Sequence, residues 1–244
     1  TPRLNYTTGV ANPYLLLESS RTNLMVQSEA FSTSAWTDNK INTNVTANST
    51  ISPEGLQNAA KIEFTGASSI YDQFVNVASS INIGTIFLKN NNVNKVEFEL
   101  TGATPALSAE VTIDLRDGTL SFPTGSYTPT IEDYGNGWWR VAIGDTSNAS
   151  VATPAFKIKS VGSNTGSFYA YGAQAEAGSY PTSYIPTYSV SATRAADACF
   201  KTNASDVIGQ TEGTLFAEWT STNANISGRI LAVSDGGFTN RIAV

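Results

Sequence analysis

The stretch Gly166-Ser-Phe-Tyr-Ala-Tyr-Gly-Ala-Gln-Ala-Glu-Ala-Gly-Ser-Tyr-Pro-Thr-Ser-Tyr-Ile-Pro-Thr187 decides how the chain reads. Its first half alternates. Phe168, Ala170 and Gly172 fall on one face, and Tyr169, Tyr171 and Ala173 on the other, which is the two-residue period of a sheet. Gly178, Pro181 and Pro186 then forbid regular pairing and predict an extended, clamped exit. A strand followed by a tied-down tail closes a domain. Residues 1–192 are therefore expected to form one domain, and 193–244 a linker with the first strands of another, incomplete one.

Strands of the same kind recur upstream. Lys95-Val-Glu-Phe-Glu-Leu100 puts Val96, Phe98 and Leu100 on one face and Glu97 and Glu99 on the solvent face. Trp138-Trp-Arg-Val-Ala-Ile143 follows the turn Gly135-Asn-Gly137. Segments 44–51, 59–65, 70–75, 84–89, 110–115, 127–134 and 155–161 read likewise. Asp117-Gly118 supplies a hairpin turn, because this pair accepts the positive φ angles that a tight turn demands. About ten strands turning every ~8–12 residues, with no helix long enough for a crossover, predict an all-β protein. The expected fold is an antiparallel β-sandwich, a jelly roll. Tyr14–Glu18 reads as a buried strand, Ser28–Phe31 as a helical turn capped by Ser28, and Ala35–Thr37 as the start of a strand. Segment 189–197 reads as a linker-like edge, and segments 213–220, 229–233 and 239–244 as strands opening a second sandwich.

Composition excludes several function classes. Charged residues make up 14% of the 244, the net charge is -6, and no basic cluster exists, so nucleic acid and anionic membrane are poor partners. No apolar run approaches the ~20 residues of a membrane helix. Histidine is absent, which excludes Ser-His-Asp and Cys-His catalysis within this chain. The single cysteine, Cys199, allows no internal disulfide and reads as a small buried hydrophobe. The opening Thr1-Pro-Arg-Leu and the strand-like run that ends at Val244 lead us to expect a piece of a longer protein.

Several short motifs fall in a recognisable order. They are Pro2-Arg-Leu-Asn-Tyr6, Leu15-Leu-Leu-Glu18 with Arg21-Thr-Asn-Leu24, Ser28-Glu-Ala-Phe31 with Trp36, and Ser52-Pro-Glu-Gly55. They continue with Gly135-Asn-Gly-Trp-Trp-Arg140, Tyr171-Gly-Ala-Gln-Ala-Glu-Ala-Gly178, Thr182-Ser-Tyr-Ile-Pro-Thr187 and Thr193-Arg-Ala-Ala-Asp197. The ordered set, covering about residues 1–200, resembles modules of tailed-phage structural proteins such as tail and head fibres. Ile208–Glu218 resembles the first strands of a laminin-G or concanavalin-A-like lectin domain. The resemblance implies a carbohydrate-binding-module-like jelly roll, a location in the virion, and contact with host-surface glycan. It also implies other virion proteins as partners, within a homo-oligomer expected to be a trimer.

Sugar-binding sandwiches offer flat aromatic rings to the C–H face of a pyranose, with amides and charged groups beside them for the hydroxyls. The candidate ligand-binding residues are Trp138, Arg140, Tyr169, Tyr171, Tyr71 and Gln73. Adjacent on one strand, Trp138 and Trp139 face opposite ways; Trp139 is expected in the core and Trp138 on a concave or inter-subunit surface. The same alternation places Phe168 and Ala170 in the core, away from Tyr169 and Tyr171. No catalytic residues and no cofactor are expected. A structural calcium would draw on Glu29, Asp72 and Glu176, although no loop is densely acidic. Three readings stay open: a glycan-contacting fibre module, a structural spacer whose aromatic face is buried against another subunit, and an accessory module of a polysaccharide-degrading enzyme.

Overall fold

The computed structural model describes residues 4–5, 13–36, 40–74, 83–103, 106–145, 155–200, 202, 214, 216, 232–234 and 241–243. The strands in chain order are β1 (Leu4–Asn5), β2 (Tyr14–Leu15), β3 (Arg21–Asn23), β4 (Thr43–Thr50), β5 (Ala59–Phe64) and β6 (Ile70–Phe74). They continue with β7 (Ile83–Asn90), β8 (Lys95–Ala103), β9 (Ala106–Asp114), β10 (Thr119–Ser121), β11 (Tyr127–Asp133) and β12 (Trp138–Gly144). The last are β13 (Ala155–Ser160), β14 (Gly166–Glu176), β15 (Ala192–Arg194), β16 (Ala232–Ser234) and β17 (Arg241–Ala243). Among the described residues the one helical element is a 3-10 turn at Ser34–Trp36.

Two sheets form the body, ordered β10-β9-β8-β13-β6 and β11-β12-β7-β14-β5-β4, and their pairings are antiparallel. Take β5, β6, β7, β8, β9, β12, β13 and β14 as first to eighth. One sheet then holds the first, eighth, third and sixth, and the other the second, seventh, fourth and fifth. That interleaving is the jelly roll. Alternation supplies the layer between the sheets. Ile62, Phe64, Ile86, Leu88, Val141, Ile143, Phe168 and Ala170 meet Tyr71, Phe98, Val111, Ile113, Phe156 and Ile158 in one buried core. Val96, Phe98 and Leu100 all point inward, as their spacing requires. Trp36 caps one end, stacked on Tyr71 at 5.5 Å, with its indole N–H donating to Gln27 O at 2.7 Å.

The chain divides into two compact units, Leu17–Asp197 and a second made of Thr1–Leu16 with Ala198–Val244. The first holds the sandwich, so it starts later than residue 1 and runs beyond residue 192. In the second, β1 pairs with β2 and β16 with β17, both antiparallel. The expected strand over 213–220 lies outside the described residues but for two positions, and only β16 and β17 are seen of the other two.

Four expectations are corrected. Tyr14, Leu15 and Leu17 are exposed, not buried. The helical turn sits at Ser34–Trp36, where a strand start was expected, and Ser28 is engaged elsewhere. Segment 189–197 is no simple linker, because β15 within it pairs with β3. Cys199 is exposed.

Candidate functional site

The outer face of the six-stranded sheet concentrates the chemistry. On β12 it carries Trp138 and Arg140, on β7 Thr85 and Phe87, and on β14 Tyr169 and Tyr171. Trp138, Phe87, Tyr171 and Ala59 form a second buried cluster, with Tyr169 and Tyr184 packed on it. Trp139 points the other way, onto the main core, and its ring covers Gly118.

Strand β14 does not alternate throughout. Opposite β7 it advances three residues, from Tyr171 to Gln174, while β7 advances two, from Phe87 to Thr85. The extra residue is a bulge at Gly172, whose φ is +60°. A Cβ there would come within 2.9 Å of the Phe87 ring and 3.2 Å of the Tyr184 ring. The bulge inverts the faces of all that follows. Ala173 and Ala175 join Phe168 in the core, while Gln174 and Glu176 join Tyr171 outside. The placement of Ala173 on the tyrosine face is thus corrected.

The exposed-in-principle polar groups then tie down the tail. Gln174 Oε1 accepts from Ile185 N at 2.7 Å, and its Nε2 donates to Thr182 O at 3.3 Å. Glu176 accepts from Thr182 N at 3.0 Å and from the Thr182 hydroxyl. Arg140 donates to Thr182 O and lies 5.6 Å above the Phe87 ring. Segment 178–188 becomes a strap across the sheet. Asn23 joins it to the strand: its Nδ2 donates to Ala173 O at 3.2 Å and Ile185 O at 2.8 Å, and its Oδ1 accepts from Ala175 N and Met25 N at 3.1 Å.

The expected binding face is therefore closed. Trp138 is 2% exposed, Tyr171 2%, Arg140 8% and Gln174 0%. The indole N–H of Trp138 is spent on Ile51 O at 3.1 Å. Tyr71 and Gln73 lie on β6, which belongs to the other sheet, and are 0% and 1% exposed. Burial pushes the Tyr71 hydroxyl far above the ordinary phenol range. Only Tyr169 of the six candidates keeps partial exposure. The physical reason is that a solvent-facing sheet with this many rings buries them against its own tail.

What stays open is one edge of that face, built around Glu29. Its Oε1 accepts from Tyr171 at 3.1 Å and Tyr184 at 3.0 Å, and its Oε2 from Tyr188 at 3.1 Å and Asn58 Nδ2 at 3.4 Å. Asn58 Nδ2 also donates to Glu54 Oε1 at 2.5 Å. Burial first, then the Glu29 charge, raises the hydroxyl pKa of Tyr171 and Tyr184. All three phenols stay protonated donors. Tyr188 is 65% exposed, and Ile51, Glu54 and Leu56 nearby in sequence to Asn58 are exposed too. Sequence reasoning missed Tyr188; its place six residues past Thr182 in a proline-bounded tail carried no periodic signal.

The outer face of the five-stranded sheet differs. Lys159 bonds Glu97, Glu99 at 2.5 Å and Glu110 at 2.9 Å. Burial opposes its charge, but those bonds outweigh it and raise the Lys159 pKa; burial raises that of Glu97 against the pull of Lys159. Glu97 and Glu99 are thus half-buried ion-pair partners. Their oxygens and one of Glu110 lie within 4.8 Å of one another, with the ammonium at their centre already supplying the positive charge. The three carboxylates that a calcium would have drawn on do not come together. Glu29 is filled by hydroxyl and amide donors, Glu176 by Thr182, and Asp72 lies on β6 in the other sheet.

Compared with family models and with curated proteins, the chain matches none.

Proposed function

We propose that the Leu17–Asp197 sandwich is a non-catalytic module of a phage virion fibre or decoration protein, and that it contacts host-surface glycan at the edge formed by Tyr188 and the loop 51–58. One observation carries the glycan reading: Tyr188 is 65% exposed while its hydroxyl is held by Glu29. A ring fixed before binding loses little entropy when a sugar stacks on it. Carboxylate and amide groups of Glu54 and Asn58 stand beside it. The virion location, the partner virion proteins and a trimeric assembly rest on the ordered motifs quoted above. They are compatible with a unit whose two ends meet, since Glu18 N donates to Asp197 Oδ2 and Asp197 N to Glu18 O, both at 2.9 Å. Such a unit strings into a longer chain without distortion.

The test is a glycan array probed with the full chain and with Tyr188→Ala. Binding that falls at least tenfold in the variant, with near-ultraviolet circular dichroism unchanged, supports the reading. Equal binding by both sinks the assigned edge. A second reading, a structural spacer, is favoured by the sealed cluster around Trp138. It predicts silence across the array.

A further inference from the structure

The groups around Tyr188 differ in what they have left to offer a ligand. Among the groups bonded to Glu29, the donors are spent. The hydroxyls of Tyr171, Tyr184 and Tyr188 go to Glu29, and both hydrogens of Asn58 Nδ2 go to Glu29 and Glu54. Acceptors are in surplus. Glu54 is exposed, and Asn58 Oδ1, itself out of reach of solvent, has no partner and so adds negative potential without adding a donor. Two carboxylates, bridged by one amide, lie beside the exposed ring.

We infer that this edge takes sugars bearing hydroxyl and ammonium donors, and rejects glycans bearing carboxylate, sulfate or phosphate. The inference rests on the glycan-contact reading and says which glycans. A neutral sugar gives hydroxyl hydrogens to the exposed Glu54 carboxylate while one C–H face packs on Tyr188. An amino sugar adds an ion pair with Glu54. A uronate or sialate brings a charge that needs N–H or O–H donors and meets Glu54 and Glu29 instead, and like charges facing each other oppose binding. The chain's net charge of -6 acts in the same direction at longer range.

The full chain is titrated by calorimetry with a panel of neutral, amino and uronate oligosaccharides of matched length, at low salt. The expected result is binding of neutral and amino members, with the uronates at least tenfold weaker. Glu54→Gln, an exposed substitution that leaves the core untouched, should narrow that gap from both sides. Uronates binding as tightly as neutral sugars would overturn the inference while leaving the glycan reading intact. Silence of the whole panel, from protein with native near-ultraviolet circular dichroism, removes both.

Discussion

At the scale of single residues, Gly172 has the largest consequence. A φ of +60° suits glycine, and a Cβ would enter the space of Phe87 at 2.9 Å. Gly172→Val adds left-handed strain to overpacking, and should cost about 2–4 kcal/mol in denaturant unfolding. A cost near zero would mean that the bulge is not there. Asp114 is the residue with a pH signature. Its hydrogen bonds to the Arg116 side chain, at 3.0 and 2.7 Å, hold its pKa at about 2 despite the opposing effect of burial. A carboxyl depressed in the fold contributes stability above its unfolded value of about 3.9, and that contribution disappears as pH falls through the folded one. Stability should therefore drop between about pH 4 and pH 2, and Asp114→Asn should flatten that part of a thermal-midpoint profile. With the Arg116 side chain exposed, the pair contributes modestly, and added salt should weaken it.

At the scale of elements, β14 and the strap act as one device. Asn23 makes four bonds across the lead-in, β14 and the strap, all among buried groups. Asn23→Ala leaves Ala173 O, Ile185 O and Ala175 N without that partner, and should cost about 2–4 kcal/mol. Hydrogen exchange should quicken at Ile185 and Thr187 before it does in β7. The alternating strands were legible in the sequence, because apolar side chains at every second position have only one face to hide on. So was the opposed aim of Trp138 and Trp139, which follows from adjacency alone. The bulge also left a trace. Strict alternation would send Gln174 and Glu176 to the face of Phe168, and two polar groups in the core demand an extra residue before them. The strap showed as a clamped exit through Gly178, Pro181 and Pro186, but the face it covers did not show, since proline-rich tails bury surface through backbone groups and side-chain amides that have no period. For that reason the aromatic face looked open when read from sequence, and the pre-set ring at Tyr188 went unseen.

At the scale of the whole molecule, the closing contacts define the unit. Arg194 meets Glu18 at 3.2 Å, β15 pairs with β3, and the backbones of Glu18 and Asp197 are bonded to the opposite end. A fragment spanning residues 17–197 should unfold cooperatively on its own. One ending at residue 192, the boundary expected from sequence, loses Arg194 and most of β15, and its midpoint should fall by about 5–10 °C. Equal midpoints would show that the ends do not hold the sandwich shut. The central claim is that the tail seals the ring-rich face and leaves Tyr188 outside. Hydroxyl-radical footprinting of the intact chain reads this directly. The account predicts rapid labelling of Tyr188 and strong protection of Trp138 and Tyr171; labelling of Trp138 and Tyr171 at the rate of Tyr188 would contradict it.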